Sequence, residues 1–320
     1  AEKYSSENHQ IKNNLGMALL RVKNYSEGWK KFESRFYTGE LKRKEMPGRR
    51  WRGEIAKDKT LYVYSDQGYG DAIQFARFLK FARERVGKLI FEAQTEALPL
   101  FKDLEGVDKL CAVKPDFSTD EKYDLQCPLL SLPYALNIDE NKITIHAPYI
   151  KADESEIEKW KSFFAADKKM KIGIAWKGNP VFARNELRSA SIEYFTDLFS
   201  IKDASFYCLQ KELTEKERAT LNGFGVKTLS ERFTDFSETA AAIANLDLII
   251  TTDTVIPHLA GALGKPVLLL LAFVSDWRWG TDETTAAWYP SVKIIRQKNI
   301  GNWNSVFDEV KEIVKQQYLF

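Results

Sequence analysis

The sequence predicts an α/β protein with two successive parallel-sheet domains, preceded by a pair of helices. The chain has 320 residues, more than one hydrophobic core usually holds. From residue 61 onward, short runs of branched and aromatic side chains alternate with segments of helical periodicity. This alternation is typical of βα units and a doubly wound sheet. Residues 8–36 show helical spacing alone, so we expect two helices there.

The composition excludes several classes of function. Lys and Arg number 47 against 45 Asp and Glu, a net charge of +2, so no general nucleic-acid-binding surface is expected. Three scattered cysteines form no disulfide framework, which favours a cytoplasmic location. Only three histidines occur, which excludes a His-rich metal site. No apolar run reaches the roughly 18 residues that span a bilayer, so no transmembrane segment is expected.

Residues 1–44 are assigned to a helical hairpin and a basic connector. The apolar positions of its two helices are Leu15, Ala18, Leu19 and Val22, then Gly28, Trp29, Phe32 and Phe36. Their small-and-large pattern is similar to a tetratricopeptide repeat, with an ordinary helical hairpin as the alternative. A lone pair of helices cannot bury both faces. We therefore expect it to pack on the following domain, on upstream repeats absent from this chain, or on both.

Residues 45–150 are assigned to the first α/β domain. Its first strand is predicted at 61–65 and leads through Gln67-Gly68-Tyr69-Gly70-Asp71 into a helix. The two glycines permit a tight turn and a close approach of the backbone to a ligand. Asp71 begins the helix, where it is either a functional carboxylate or only a helix cap.

Residues 151–302 are assigned to the second α/β domain. Residues 303–320 are assigned to a C-terminal helix, which either stays with this domain or crosses back to the first. Two strands of the second domain are predicted to end before Lys177 and before Gln210-Lys211. Open α/β sheets bind ligands at the carboxyl ends of their strands, in a cleft. Basic side chains there are either phosphate ligands or solvated loop charges. The candidates are Lys177, Arg184, Arg188 and Lys211, with Gln210 beside them.

The sharpest signal runs from Asp253 to Pro266. A predicted strand ends in Thr251-Thr252-Asp253-Thr254, and a helix rich in small residues follows at once. Free amides at such a helix start, with the Thr254 hydroxyl and His258 one turn in, suit a diphosphate. Alternatively, Asp253 or Thr254 only caps the helix and His258 is a packed residue.

An aromatic group follows the next predicted strand and includes Trp277 and Trp279. Aromatic faces stack on bases and sugars, so both are candidates for ligand stacking. The alternative is that these tryptophans fill a contact between domains.

The stretch from Asp253 to Pro266 resembles the signature of the bacterial heptosyltransferase-like glycosyltransferases of family 9 type. Val255 departs from it, since that family usually has glycine there. From about residue 10 to 318, the chain resembles bacterial proteins that fuse tetratricopeptide repeats to such a transferase. The further stretches that carry this resemblance are 67–71, 127–133, 173–180, 209–211 and 276–279.

The resemblance implies the GT-B architecture, in which two Rossmann-like domains face a cleft. It also implies a metal-independent, inverting transfer that needs no cofactor beyond a nucleotide-sugar co-substrate. Asp71 would be the general base on the acceptor side, within a loop that includes Gln67, Gly68 and Gly70. From their positions and the resemblance together, the predicted donor ligands are Lys177, Arg188, Gln210, Lys211, Asp253, Thr254 and His258.

The acceptor is open, and a protein or a glycan fits. A tetratricopeptide-like segment also suggests a protein partner. Two other functions stay open at this point. One is a nucleotide-sugar epimerase of the same architecture, and the other is a non-catalytic binding protein that uses the helical segment for recruitment.

Overall fold

The structure is a computed structural model that describes residues 8–41, 46–139, 142–143, 147–180 and 185–318. The chain forms two compact units, and the first contains the residues up to Tyr149 together with Trp277–Thr281. The second contains Ile150–Asp276 and the chain from Asp282 onward. The sequence predicts residues 277–281 within the second domain, whereas in the structure they belong to the first unit. The connector residues Lys42, Arg43 and Lys44 and the candidate ligand Arg184 lie outside the described residues.

The first unit starts with helix α1 (His9–Arg21) and helix α2 (Tyr25–Phe32). A 3₁₀ turn, Glu33–Tyr37, continues α2. The helices approach closely because Gly16 and Gly28 have no side chains. A Cβ at Gly16 would lie 2.6 Å from the Phe32 backbone nitrogen, and one at Gly28 would lie 2.7 Å from Leu20 Cδ2. The predicted hairpin is therefore present, and its likeness to a tetratricopeptide repeat stays a prediction.

A five-stranded parallel sheet forms the centre of the first unit, in the order β1-β5-β2-β3-β4. Its strands are β1 (Arg49–Arg50), β2 (Ala56–Tyr64), β3 (Val86–Ala93), β4 (Lys109–Ala112) and β5 (Leu125–Pro128). Its helices are α3 (Tyr69–Ala76), α4 (Leu79–Arg83) and α5 (Leu132–Ala135). The sequence also predicts a helix at 95–104. The structure has two 3₁₀ turns there instead, because Pro99 has no amide hydrogen for an α-helical bond.

The second unit contains a seven-stranded sheet in the order β11-β12-β10-β9-β6-β7-β8, parallel except for the β11–β12 pair. Its strands are β6 (Met170–Ala175), β7 (Ala204–Cys208), β8 (Lys227–Thr228), β9 (Leu248–Thr252), β10 (Val267–Leu271), β11 (Thr285–Ala286) and β12 (Tyr289–Arg296). Its helices are α6 (Glu154–Phe164), α7 (Asn185–Arg188), α8 (Thr196–Phe199), α9 (Glu215–Gly223), α10 (Phe236–Ala244), α11 (Val255–Ala262) and α12 (Asn304–Gln317).

The last helix, α12, packs within the second unit, which corrects the expectation that it crosses back to the first domain. Its buried side chains are Val306, Phe307, Val310, Ile313 and Val314. They join the same core cluster as Leu268 and Leu270 of β10. Burial of this apolar stripe on the sheet provides the stabilising contact that the helix needs.

A buried ionic network joins the hairpin to the sheet of the first unit. Arg35 Nη2 donates to Asp66 Oδ2 at 3.0 Å and to Ser131 Oγ at 2.7 Å. Glu33 accepts from Arg35 at 2.7 Å and also pairs with Arg50. The Arg35 and Asp66 side chains are 3% and 0% exposed, so the hairpin is an integral part of this unit. No helix of the described residues is long and apolar enough to cross a bilayer.

Candidate functional site

The loop after β2 carries the predicted acceptor-side residues. Gly68 is the N-cap of α3, with extended φ and ψ of −76° and 175°, and Gly70 lies inside the helix. Neither glycine has a positive φ. A left-handed backbone is therefore not the reason for glycine at these positions, and a close approach of the backbone to a ligand stays a prediction. Gln67 accepts a hydrogen bond at its carbonyl oxygen from Gln94 Nε2, at 2.7 Å.

Asp71, the predicted base, lies in the first turn of α3. Its Oδ2 atom accepts from the Gly68 amide at 3.0 Å, which closes the start of the helix. Its Oδ1 atom accepts from Arg278 Nη2. The side chain is 20% exposed, so part of the carboxylate faces solvent. The N-cap is Gly68, so Asp71 closes the helix start from the third helical position and is not the cap itself. Its role as a base stays a prediction.

Arg278 is a neighbour of Asp71 to which the sequence analysis assigned no role. Its Nε atom donates to Gln74 Oε1 at 2.7 Å, and its Nη2 atom donates to Asp71. The guanidinium carbon lies 4.4 Å from the centroid of the Trp277 ring. Arg278 stood within a stretch that carries the family resemblance, but 207 residues separate it from Asp71 in the chain. No local pattern could reveal the pair.

Trp277 and Trp279, the candidates for ligand stacking, are both buried in the first unit. The Trp277 ring contacts Trp29 of α2, with centroids 5.5 Å apart and planes at 84°. It also lies 6.2 Å from the Phe32 ring. The Trp277 ring thus packs on side chains of the first unit itself and not in a contact between domains, and the stacking role of both tryptophans stays a prediction.

Predicted donor residues meet where β6 and β7 end. Gln210 Oε1 accepts from the backbone amides of Trp176, at 3.3 Å, and of Lys177, at 3.1 Å. Lys177 Nζ donates to Glu217 Oε2 at 2.6 Å. Lys211 follows Gln210 and is exposed. The side chains of Gln210 and Lys177 are thus fixed by the protein itself.

Glu217 was missed by the sequence analysis because it lies 40 residues beyond Lys177. Burial alone raises the pKa of this carboxyl, but hydrogen bonds from Lys177, the Thr214 amide and Trp176 outweigh it and hold the pKa below its ordinary value. A capping box with Thr214 at the start of α9 fixes the Glu217 side chain. The carboxylate therefore anchors Lys177 at the strand end.

Arg188 ends α7 beside the loop that follows β6. Its Nε atom lies 3.4 Å from Asn185 Oδ1. A Cβ at Gly178 would lie 2.8 Å from Arg188 Nη2, so the guanidinium passes directly over this glycine. Because Gly178 follows Lys177, the two basic residues lie on the same loop region.

The predicted diphosphate segment begins where β9 ends at Thr252. Thr254 is the N-cap of α11, and its hydroxyl accepts from the Ile256 amide at 3.2 Å. Pro257 has no amide hydrogen. Fewer amides are therefore open at this helix start than the sequence suggested.

His258 is a buried residue of α11, 5% exposed. Its Nδ1 atom lies 3.1 Å from the Tyr289 hydroxyl of β12. Asp253 is 7% exposed. The packed role that the sequence left open for His258 therefore has a structural basis, and its role as a ligand stays a prediction.

The order of strands brings these candidates to one edge of the second sheet. Strand β6 pairs with β9 on one side and with β7 on the other. The residues that follow β9, β6 and β7 are Asp253, Trp176 and Leu209, so the three candidate segments occupy consecutive strand ends. Carboxyl ends of parallel strands are the usual ligand sites of open α/β sheets.

No group of three or more His, Cys, Asp or Glu side chains that could hold a metal ion occurs among the described residues. A metal-independent reaction stays a prediction.

The family comparison concerns the second unit. Residues 206–309 match the model of glycosyltransferase family 9 (heptosyltransferase). This range includes Gln210, Lys211, Asp253, Thr254 and His258. This part of the chain is thus similar to that family, which supports the predicted glycosyltransferase activity.

One curated relative is protein FlbA of Caulobacter vibrioides. The two sequences are 24% identical over 318 residues, which cover 91% of this chain and 52% of FlbA. The chain thus spans about half the length of this relative.

Solved structures of glycosyltransferases share the fold. A glycosyl transferase family 9 protein of Veillonella parvula has a TM-score of 0.62 at 13% identity, over 82% of this chain and 97% of that chain. The ADP-heptose lps heptosyltransferase II of E. coli has a TM-score of 0.55 at 12% identity, over 81% and 99%. The E. coli heptosyltransferase WaaC with ADP has a TM-score of 0.54 at 12% identity, over 80% and 99%. These likenesses confirm an α/β fold with parallel sheets of the heptosyltransferase type.

Proposed function

We propose that the chain is an inverting, metal-independent glycosyltransferase that moves a sugar from a nucleotide-sugar donor to a protein or glycan acceptor. One observation carries the proposal. Three consecutive strand ends of the second sheet present basic and hydroxyl side chains. Two of them, after β7 and β9, lie in the segment that matches glycosyltransferase family 9. The other end adds Lys177 and, through its loop, Arg188.

The donor diphosphate is the group that these side chains suit. Lys177, Arg188 and Lys211 would neutralise its charge, and charge-assisted hydrogen bonds are the strong ones. Gln210 is oriented by two backbone amides that hold its Oε1 atom, which fixes the direction of its amide nitrogen. Asp253, Thr254 and His258 would complete the set at the start of α11. WaaC, one of the solved structures, is described with ADP, which supports a nucleoside diphosphate as the first ligand to test.

Asp71 is the proposed general base. In a single displacement, the acceptor oxygen forms a bond to the anomeric carbon as the bond from that carbon to the diphosphate oxygen breaks. The acceptor proton passes to the Asp71 carboxylate, and the nucleoside diphosphate leaves with the electron pair. One positioned carboxylate is sufficient for this chemistry.

We also propose a class of acceptor, a cellular location and a kind of partner for the protein. A protein or a glycan acceptor fits a transferase with a helical hairpin at its front, and that hairpin is also proposed to contact a protein partner. The scattered cysteines support a cytoplasmic location.

Ligand binding tests the donor site directly. Thermal shift and calorimetry with ADP, UDP, GDP and CDP should identify one nucleotide that stabilises the chain, because ligands that bind the folded state raise its apparent stability. Lys211→Gln should weaken the affinity for that nucleotide by about 10-fold, as expected from the loss of one charge-assisted contact. Lys202→Gln is the matched control, since Lys202 precedes the same strand, β7, at its opposite end.

Turnover tests the chemistry. A donor panel of ADP-heptose, ADP-glucose, UDP-glucose and GDP-mannose is assayed for nucleotide release with water and with protein and glycan acceptors. Asp71→Asn should abolish release while nucleotide affinity is kept, and unchanged release in this variant would contradict the base assignment. Isomerised donor without transfer would instead identify an epimerase.

A non-catalytic binding protein is the second candidate, and one observation favours it. Both oxygens of the Asp71 carboxylate already accept hydrogen bonds from the protein. Nucleotide binding without turnover of any donor in the panel would support this candidate over the transferase.

A further inference from the structure

Arg278 contacts Asp71 within the first unit, and no step of the proposed reaction uses it. Its side chain is 9% exposed, so the guanidinium lies largely inside the protein. A buried charge is tolerated when it is paired and hydrogen-bonded. Here Asp71 supplies the charge partner and Gln74 supplies a second acceptor, at 2.7 Å from Nε.

The two acceptors of Arg278 lie on one face of α3. Asp71 and Gln74 are three residues apart in this helix, a spacing that places side chains on the same face. A planar guanidinium reaches both with a fixed geometry, which the flexible ammonium of a lysine does not provide. The contact therefore fixes the direction of the Asp71 carboxylate at Oδ1, while the Gly68 amide fixes Oδ2.

Arg278 is itself held by aromatic rings. Its guanidinium carbon lies 4.4 Å from the Trp277 centroid and 5.9 Å from the Phe75 centroid. Trp277 in turn packs edge-on against Trp29 of the hairpin, 5.5 Å away, and Trp29 packs edge-on against Phe75 at 5.9 Å. Trp29 is 1% exposed, so these contacts form a buried aromatic cluster beside the arginine.

We propose that Arg278 is a positioning residue that orients the Asp71 carboxylate, and that the N-terminal hairpin supports it through Trp29 and Trp277. This inference rests on the proposed role of Asp71 as the base. A base must hold its lone pair in the direction of the acceptor proton, and a misplacement of about 1 Å can lower turnover on the order of 100-fold. The hairpin is then part of the catalytic support, in addition to any role in recruitment.

Steady-state kinetics of Arg278→Gln, with whichever donor of the panel turns over fastest, test the inference. We expect kcat to fall about 10- to 100-fold. The KM of the donor and its affinity by calorimetry should change less than about two-fold, because the proposed donor ligands belong to the second unit. The kcat of Arg278→Lys should lie between those of the wild type and Arg278→Gln, since lysine keeps the charge but loses the planar contact with Gln74.

Arg83→Gln is the matched control. It breaks another arginine–aspartate contact of the first unit, in which Arg83 Nε lies 2.6 Å from Asp108 Oδ2. Its kcat should equal that of the wild type. Arg278→Ala with added guanidinium ion at a few tens of millimolar adds a readout that a structural role would not move, because the free ion can restore the contact with Asp71. We expect it to recover part of the lost kcat.

The outcomes separate the inference from the proposed function. Loss of turnover in Asp71→Asn with unchanged kcat in Arg278→Gln overturns the positioning role and leaves the base assignment intact. A lower folded fraction in Arg278→Gln, with unchanged kcat per folded molecule and no guanidinium rescue of Arg278→Ala, also overturns it. Full turnover in Asp71→Asn, or no turnover of any donor by the wild type, overturns both.

Discussion

The Nδ1 atom of His258 lies 3.1 Å from the hydroxyl oxygen of Tyr289, so helix α11 is joined to strand β12 inside the second unit. Gly261 makes this contact possible. A Cβ at Gly261 would lie 2.6 Å from Tyr289 Cδ1, which means that the tyrosine ring rests directly on the helix backbone. Gly261 follows His258 by three residues and shares its face of the helix. The orientation of the His258 ring therefore depends on Tyr289.

Tyr289→Phe should lower the free energy of unfolding by about 1 kcal/mol, because it leaves the buried His258 nitrogen without this hydrogen bond and retains the aromatic ring. Urea denaturation followed by circular dichroism measures the change. Tyr194→Phe is the control, since the Tyr194 ring stacks on Phe307 at 5.5 Å and is only partly buried. Equal stability of Tyr289→Phe and the wild type would show that the contact contributes nothing to folding.

The Lys177–Glu217 contact should make stability depend on acid pH. The folded-state pKa of Glu217 lies below its ordinary 4.5, so this carboxylate stabilises the fold above that pH. The contribution is lost as the pH falls through the lower, folded-state pKa. The stability difference between the wild type and Glu217→Gln should therefore shrink as urea titrations move from pH 6 toward pH 3.

Glu158→Gln is the control for that titration, because Glu158 and its partner Lys161 are both 67% exposed. Its difference from the wild type should be small at every pH. A Glu217→Gln difference that stays constant down to pH 3 would contradict the assignment.

Gly16→Ala should lower the free energy of unfolding by about 1 to 3 kcal/mol, because the added methyl group would meet the backbone of α2 and force the helices apart. Thermal unfolding by calorimetry measures the loss. The matched change is Gly223→Ala, at the last residue of α9, where no atom lies within 4 Å of the added Cβ. That variant should be as stable as the wild type or gain up to about 1 kcal/mol from helix propensity. Similar losses in both would contradict close packing of the hairpin.

Arg35→Met should lower the free energy of unfolding by about 3 to 5 kcal/mol, because it leaves the buried Asp66 carboxylate without its cation. The double variant Arg35→Met/Asp66→Leu should recover part of this loss, since no unpaired charge remains. Denaturant titrations compare both with Arg49→Gln, which breaks an exposed pair and should change stability by less than about 1 kcal/mol. A double variant less stable than Arg35→Met would show that the pair is not the cause.

Local patterns in the sequence predicted much of the fold and the three strand ends of the second unit. A strand followed by a basic, amide or hydroxyl residue is visible in a few adjacent positions, which is why Lys177, Gln210 and Thr254 could be assigned to strand ends from the sequence. The same local view was wrong where the chain breaks its own pattern. Pro99 divides the helix expected at 95–104. The apolar stripe of α12 suits packing on either domain, so the sequence alone did not show that this helix packs within the second unit.

Contacts between distant residues could not be predicted from one sequence. The Arg278–Asp71 pair spans 207 positions and the Lys177–Glu217 pair spans 40. Charged residues are frequent, so each has many equally plausible partners until the backbone is folded. Burial of Trp277 was equally hidden, because aromatic residues suit a ligand-stacking surface and a packed core alike.

The first unit is built from two separate stretches of the chain, so it cannot complete its packing until most of the chain has been synthesised. During synthesis, residues 8–149 leave the ribosome long before Trp277 and Arg278, which belong to the same unit. Domains generally fold as units while the chain emerges. Until residue 281 is available, Trp29 and Phe32 lack a contact and Asp71 lacks its cation. The nascent first unit should therefore present an apolar surface to chaperones, and closure of its aromatic cluster should be a late, high-contact-order step.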